Sequence, residues 1–414
     1  MPTVFLFGAG ASVAAGYPLA RHLLDELAIW VASHPQDVQT VRSWKAFTDF
    51  RERARSSAPM LLDRLVNSPN PEVVLTAMDL FIEAIAADDE AISLAFDAAL
   101  AELDHVPSDQ LVTAYHDIEK QQDRAYNAAE RESLRDAVYA RSGFLRVLDR
   151  YFGYKHWEDS RPGREPGISA LTRELESVVA SDTVLTTNYD ALLERVLIGR
   201  GDWTPTDGYG FAALLPQRSR AAPSIPNWVP TESRIRVLKL HGSYGWWTWT
   251  EQAAALAGPG AIYLAPGLLD FLPFRGPNTL SQEGKFAYVH EIGLPDPADA
   301  FQTARVMAYP SFVKQIPNGH MQDIWEFAGQ ALAAASSLKI IGYSLPRSDA
   351  AVRALLAPAR RRALRGSLEV TVINPSEAAV NAWRDFFGTR VFHDFRNVGE
   401  KSRLGLPPLP RPVG

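Results

Sequence analysis

Five short clusters in this chain hold residue types that bind nucleotides or move protons, and each follows an apolar run. They are Gly8-Ala9-Gly10-Ala11-Ser12 after "TVFLF", Asn188-Tyr189-Asp190 after "TVLTT", His241-Gly242-Ser243 after "IRVLKL", Gly342-Tyr343-Ser344 after "LKII", and Asn374-Pro375 after "EVTVI". Gly8 and Gly10 let a backbone approach a phosphate closely, with the N-terminus of the following helix favouring negative charge. A neutral histidine is the side chain best suited to accept a proton near pH 7. Asparagine offers a donor and an acceptor to a water or a ribose hydroxyl. Neither is a strong nucleophile and no metal cluster accompanies them. The set suits activation of water or of a sugar hydroxyl.

Other nucleotide and hydrolase signatures do not fit. The dehydrogenase fingerprint needs Gly or Ala where this chain has Val13, and expects an acid closing a second strand about 20 residues on. No GxxxxGK[ST] loop occurs: Gly284-Lys285 is followed by Phe286 and lacks the upstream glycine. His290-Glu291 lacks the second histidine of a metalloprotease helix, and there is no GxSxG elbow. Taken singly, each cluster also has a plain reading. His241 alone reads as a packed core histidine, Asp190 as the cap of the helix "ALLERVL", and Gly342-Tyr343-Ser344 as a strand-to-helix turn. "GWWTWT" (245–250) reads as core before substrate lid or subunit contact, and "RRRALR" (360–365) as a cationic C-terminal helical turn.

The elements that must position these residues follow from periodicity. Strands are expected at 3–7, 183–188, 235–240, 338–341 and 369–373, with a last one near "TRVFHDF". Helices are expected from Leu19 to about Ala32, through "ISALTRELESVVA" and "YDALLERVL", and at 321–335, 348–364 and 376–387. Strands alternating with helices imply an α/β fold: a Rossmann-like parallel sheet with helices on both faces. Ligands bind such sheets beyond the carboxyl ends of the strands, where all five clusters lie. Residues 40–157 show helical stretches and no strand, so an inserted all-helical subdomain is expected. The expected units are 1–35 with 165–400 as the nucleotide-binding domain, 36–164 as the insertion, and 401–414 as a proline-rich tail. Residues 201–234 read as a long loop and 245–318 as irregular, with candidate strands at "AIYLA" and "ARVMAY".

Taken together, the motifs resemble those of the sirtuins. "FGAGASVAAGYPLAR" resembles GAGxSxxSGIPxFR, "TTNYD" resembles TQNID, "LHGS" the catalytic histidine-glycine, "GYS" the GTS motif and "VIN" the LIN motif. They arrive in family order over roughly residues 1–25 and 168–395. The resemblance implies NAD in the crevice: Gly8, Ala9, Gly10, Ser12 and Arg21 at its phosphates and ribose, Gly342 and Ser344 at phosphate, Asn374 at the adenosine ribose. It places Asn188 and Asp190 beside the nicotinamide ribose and nicotinamide, and makes Asn188 and His241 the catalytic pair.

The departures are informative. Leu19 and Ala20 replace the sirtuin Asp and Phe, Thr187 replaces the Gln, and a chain without cysteine has no zinc ribbon. They are similar to the sirtuin-like proteins of bacterial anti-phage systems, which cleave NAD with water. The implied activity is NAD⁺ hydrolysis to nicotinamide and ADP-ribose, linear or cyclic, without a metal. It would deplete NAD in an abortive infection and be held in check by homo-oligomerisation, a HerA-type ATPase or a short Argonaute complex. The alternatives are an NAD- or ADP-ribose-binding sensor without turnover, and a sirtuin-type deacylase or ADP-ribosyltransferase.

Composition sets outer bounds. Lys and Arg number 42 against 48 Asp and Glu, a net charge of −6, which argues against direct nucleic-acid binding. No apolar run approaches the ~20 residues needed to cross a bilayer and no signal peptide precedes "TVFLFGAGAS". The absence of cysteine is compatible with a reducing compartment. A cytoplasmic location is expected.

Overall fold

The computed structural model describes residues 2–57, 68–71, 73–78, 128–159, 171–204, 207–211, 232–249, 263–264, 303–307, 319–346, 349–388, 391–396 and 398. Its strands are β1 (Thr3–Phe7), β2 (Thr183–Thr186), β3 (Arg236–Lys239), β4 (Gly242–Trp249), β5 (Tyr263–Leu264), β6 (Thr303–Met307), β7 (Ser337–Ile341), β8 (Glu369–Ile373) and β9 (Phe392–Asp394). Its helices are α1 (Ala20–Ser33), α2 (Val38–Ser57), α3 (Ala128–Asp159), α4 (Leu192–Arg200), α5 (Gly319–Ala334), α6 (Ala350–Leu364) and α7 (Glu377–Phe387).

β1 is apolar at four of its five positions, and all four are buried. A strand without polar alternation must be covered on both faces and flanked on both edges. β2 and β7 flank it, both parallel, in the registers Val4 to Thr183 and Thr3 to Ser337. The full sheet runs β3-β2-β1-β7-β8-β9 with every pairing parallel. From β1 the order proceeds to β2 and β3 on one side and from β7 to β8 and β9 on the other. Right-handed crossovers in opposite directions put the connecting helices on opposite faces. This is the expected Rossmann-like α/β sheet, with its switch point between β1 and β7.

Local signals set the helix ends. Ser376 accepts a hydrogen bond from the Ala379 amide (3.3 Å) and caps α7. Gly201, at φ +74°, closes α4 with its N–H on the Ile198 carbonyl. In the expected helical block, residues 71 and 73–78 are helical, and α2 and α3 pack against each other. Gly143 makes that approach possible, because a Cβ there would sit 2.7 Å from the Ser43 carbonyl oxygen. Phe47 meets Phe144 at 4.8 Å, and Trp30 of α1 meets Tyr151 edge-on at 5.7 Å. The block's buried residues are continuous with the sheet core in one apolar cluster.

After His241, β5 and β6 fall at the candidate strands "AIYLA" and "ARVMAY", while β4 departs from the irregular reading. β4 pairs antiparallel with β5 and β6 in a second, three-stranded sheet, in the order β5-β4-β6. The pairing with β6 shifts register between Gly242 and Trp247, so period-2 alternation is broken along β4. Trp246 is fully buried against Tyr209 and Phe211, as the core reading of the tryptophan-rich run expects. The proline-rich stretch 401–414 lies outside the described residues. Among the described residues, no helix is long and apolar enough to cross a membrane.

Candidate active site

At the switch point the chain leaving β1 crosses the chain leaving β7. The Gly8 N–H donates to the Ile341 carbonyl (3.0 Å) and the Gly10 N–H to the Gly342 carbonyl (2.8 Å). Added Cβ atoms would lie 2.6 Å from Tyr343 Cα at Gly8, and 2.7 Å from the Gly342 oxygen at Gly10. Gly342 has φ +65°, and a Cβ there would lie 2.3 Å from the Ala11 nitrogen. These glycines are required by one backbone passing another, whatever else they do. The chain after Gly8 makes two 3₁₀ turns, Ala9–Ala11 and Val13–Ala15, and α1 begins only at Ala20. α1 thus begins where the helical spacing from Leu19 places it, with the two turns between the glycines and its N-terminus.

Beside this crossing, at the end of β2, Asn188 is held by two bonds from its amide nitrogen. Nδ2 donates to the Gly8 carbonyl and to Ser12 Oγ, each at 3.1 Å. The Ser12 hydroxyl donates to Asp190 Oδ2 (2.7 Å), and Asp190 Oδ1 accepts the Leu192 N–H (3.1 Å). Both Asp190 oxygens are engaged by the protein; Oδ1 meets the first residue of α4, but the N-cap position expected for Asp190 falls to Ala191. The two hydrogens of the Asn188 amide are likewise used, so Oδ1 is what this side chain can offer a ligand. Asn188, Asp190 and Ser12 are all buried.

One strand further, β3 delivers His241, which is 5% exposed. Its Nε2 lies 3.3 Å from Oδ1 and 3.2 Å from Oδ2 of Asp349. Tyr343 donates its hydroxyl to the same Oδ2 at 2.5 Å. Asp349 stands at the N-cap of α6 yet makes no side-chain cap to its own helix. Between Tyr343 and Asp349, Leu345 adopts φ +55°, a left-handed backbone that costs a residue with a Cβ about 1–2 kcal/mol. Arg353 holds that turn, donating to the carbonyls of Leu345 (2.7 Å) and Pro346 (3.2 Å). The Tyr189 ring lies 6.1 Å from the His241 ring. Phe152 of α3 packs on Tyr189, Tyr244 and Tyr17, so the helical block abuts these loops.

Beneath the loops lies a second buried polar group. Lys239 and Glu194 pair at 3.0 Å with both side chains fully buried. Lys239 also donates to the Asp190 carbonyl, and Tyr209 donates to Glu194 Oε1 at 3.1 Å. Burial raises the Glu194 carboxyl, with Lys239 opposing the rise. Burial together with the neighbouring Glu194 pushes the Tyr209 phenol well up.

These side chains of β2 and β3 fall within one recognised sequence pattern. Residues 182–266 match the family model of the SIR2-like domain. The stretch is about a fifth of the 414 residues and contains Asn188, Asp190 and His241. The match supports a sirtuin-like family and points to NAD-related activity in general. No curated protein matches the chain.

The remaining expected site residues divide. Asn374 accepts the Ser376 N–H (3.0 Å) and reaches the Tyr343 carbonyl (3.5 Å), which ties the end of β8 to that of β7. Ala9 is half-buried in the first 3₁₀ turn, and Ser344 is exposed beside the switch point. Arg21 stands apart, exposed on α1 with its Nε on His22. The structure thus joins Gly8, Gly10, Ser12, Asn188, Asp190 and Gly342 through direct contacts, with His241 on the adjacent strand end. Sequence reasoning missed Asp349, Tyr343 and the Lys239–Glu194 pair. The apolar setting of Lys239 in "RVLKL" was the available signal for the last, since a buried lysine demands an acid. Among the described residues, no group of three or more His, Cys, Asp or Glu is arranged to hold a metal ion.

Proposed function

We propose that the chain is an NAD⁺ hydrolase that cleaves the bond between nicotinamide and ribose. The observation that carries the reading is the fixed Asn188 amide at the end of β2, next to the strand that delivers His241, within the SIR2-like match. Asn188 Oδ1 accepts a hydrogen bond from the attacking water or a ribose hydroxyl, and His241 takes the proton released. The electron pair of the breaking C1′–N bond leaves with nicotinamide, which departs neutral, while the water oxygen bonds to C1′. Preorganised polar groups in a crevice of this kind contribute several kcal/mol to such a barrier. With both Asp190 oxygens used internally, its part is to hold Ser12 and the start of α4.

In this reading the chain is the NAD-depleting effector of an anti-phage system, restrained by self-association or by a separate ATPase or Argonaute-type partner. The test is free nicotinamide after incubation with NAD⁺, for wild type, Asn188→Ala and His241→Ala. Release by wild type, lost in both variants, supports the proposal. NAD⁺ bound but left intact in every case, with candidate partners added, replaces it with a sensor. Release that depends on an acyl-lysine peptide replaces it with a deacylase. Solution mass, alone and with the candidate partner, tests the mode of restraint.

A further inference from the structure

We infer that Asp349, seated by Tyr343, is a positioning residue for His241, fixing which imidazole nitrogen accepts the proton. The inference rests on the hydrolase reading and extends it beyond the SIR2-like stretch, since Tyr343 and Asp349 lie outside residues 182–266.

Three observations converge on it. Asp349 occupies a helix N-cap, where an aspartate ordinarily accepts from its own first turn. Here it makes no such bond, and its carboxylate faces His241 Nε2 with both oxygens within 3.3 Å. The side chain is 2% exposed, and Tyr343 donates to it at 2.5 Å. A deprotonated Asp349 can only accept, which puts a hydrogen on Nε2. A proton taken up by the neutral ring then goes to Nδ1, and the imidazolium that forms is stabilised by the adjoining negative charge. Finally, the segment that sets the Tyr343 hydroxyl on Asp349 contains the left-handed Leu345, clamped by Arg353. Backbone strain kept in place by added hydrogen bonds is typical of sites where geometry serves function.

The pair spans 108 positions of sequence, from the end of β3 to the start of α6. It bridges across the ends of β2 and β1, which lie between β3 and β7 in the sheet. The histidine is thus oriented from the opposite side of the switch point, over the strand that carries Asn188.

The test uses the full chain and two readouts. In steady-state cleavage of NAD⁺, Asp349→Asn lowers kcat by about 100-fold or more while KM moves by no more than about threefold. Tyr343→Phe, which keeps the ring against Trp383 (5.9 Å), lowers kcat by about tenfold. Nitrogen-15 spectra of the imidazoles, with His241 assigned from His241→Gln, show the Nε2–H tautomer in wild type and its loss in Asp349→Asn. Thermal unfolding of each variant identifies any general loss of fold, in which case Tyr343→Phe and the wild-type tautomer decide. Wild-type kcat in a folded Asp349→Asn overturns the positioning role and leaves the hydrolase reading standing. A wild type that releases no nicotinamide overturns the hydrolase reading, and the tautomer alone then judges the pair. A wild-type Nδ1–H tautomer overturns it.

Discussion

Lys239 on β3 and Glu194 on α4 form an ion pair of 3.0 Å with no exposure of either side chain. Glu194 Oε2 has no hydrogen-bond partner among the described residues, so the acid is under-compensated and burial raises its carboxyl. Breaking such a pair from one side leaves a lone buried charge and costs about 3–5 kcal/mol. Lys239→Met is expected to lose that much in denaturant unfolding. Lys239→Met combined with Glu194→Leu recovers most of it. A deficit of about 1–3 kcal/mol remains, because the Asp190 carbonyl and the Tyr209 hydroxyl lose their partners. A double variant no more stable than the single one contradicts this account.

Two glycines with similar backbone angles separate strain from crowding. Gly342→Ala brings a methyl 2.3 Å from the Ala11 nitrogen at φ +65°, whereas at Gly201, φ +74°, an added Cβ meets nothing within 4 Å. Gly201→Ala should cost about 1 kcal/mol, from left-handed backbone alone. Gly342→Ala should cost about 3 kcal/mol or more and weaken ADP-ribose binding in calorimetry, since the crossing of the β1 and β7 loops must open. Equal losses in the two variants would show that the crossing is not tight.

Ser12 links Asn188 to Asp190 through one hydroxyl. Removing it as Ser12→Ala is expected to cost about 1–2 kcal/mol of stability. It also frees the Asn188 amide to turn, with a kcat loss for nicotinamide release of about tenfold. Unchanged turnover in a folded Ser12→Ala would mean that the amide is held by Gly8 alone.

A pH effect is expected at the edge of the helical block. Asp37 is raised by burial, but its bonds from the Thr40 hydroxyl and amide, with Arg150 of α3, outweigh this and lower its carboxyl. A depressed acid contributes stability above its unfolded value and loses it as pH falls through the folded one. Thermal stability of wild type should therefore drop below about pH 4 more than that of Asp37→Asn. Parallel pH curves for the two proteins would remove Asp37 from the acid response.

Much of this was legible in the chain because buried parallel strands announce themselves. "TVFLF" admits no half-exposed reading, and it meets a polar cluster at the end where such sheets bind ligands, as the alternating "EVTVI" also does. Asn188 and His241 could be named because they follow the strand runs "TVLTT" and "IRVLKL" directly. Asp349 could not. Its partner is 108 positions away, and Asp before "AAVRALL" reads as an ordinary helix cap, a role its side chain does not take. β4 was hidden for another reason: the register shift between Gly242 and Trp247 breaks the alternation that marks a half-buried strand. The crowding at Gly10 and Gly342 was equally invisible, since each supplies the obstacle for the other.

The pairing of Thr3 with Ser337 has a consequence for synthesis. As the chain leaves the ribosome, β1 emerges first but gains its second neighbour only after more than three hundred further residues. Gly8 meets Ile341, Gly10 meets Gly342, and His241 meets Asp349, only then. Closure across such a separation comes late in folding. A nascent chain stopped before β7 holds Asn188 and His241 without the other half of the crevice, so the site waits for β7 and the start of α6.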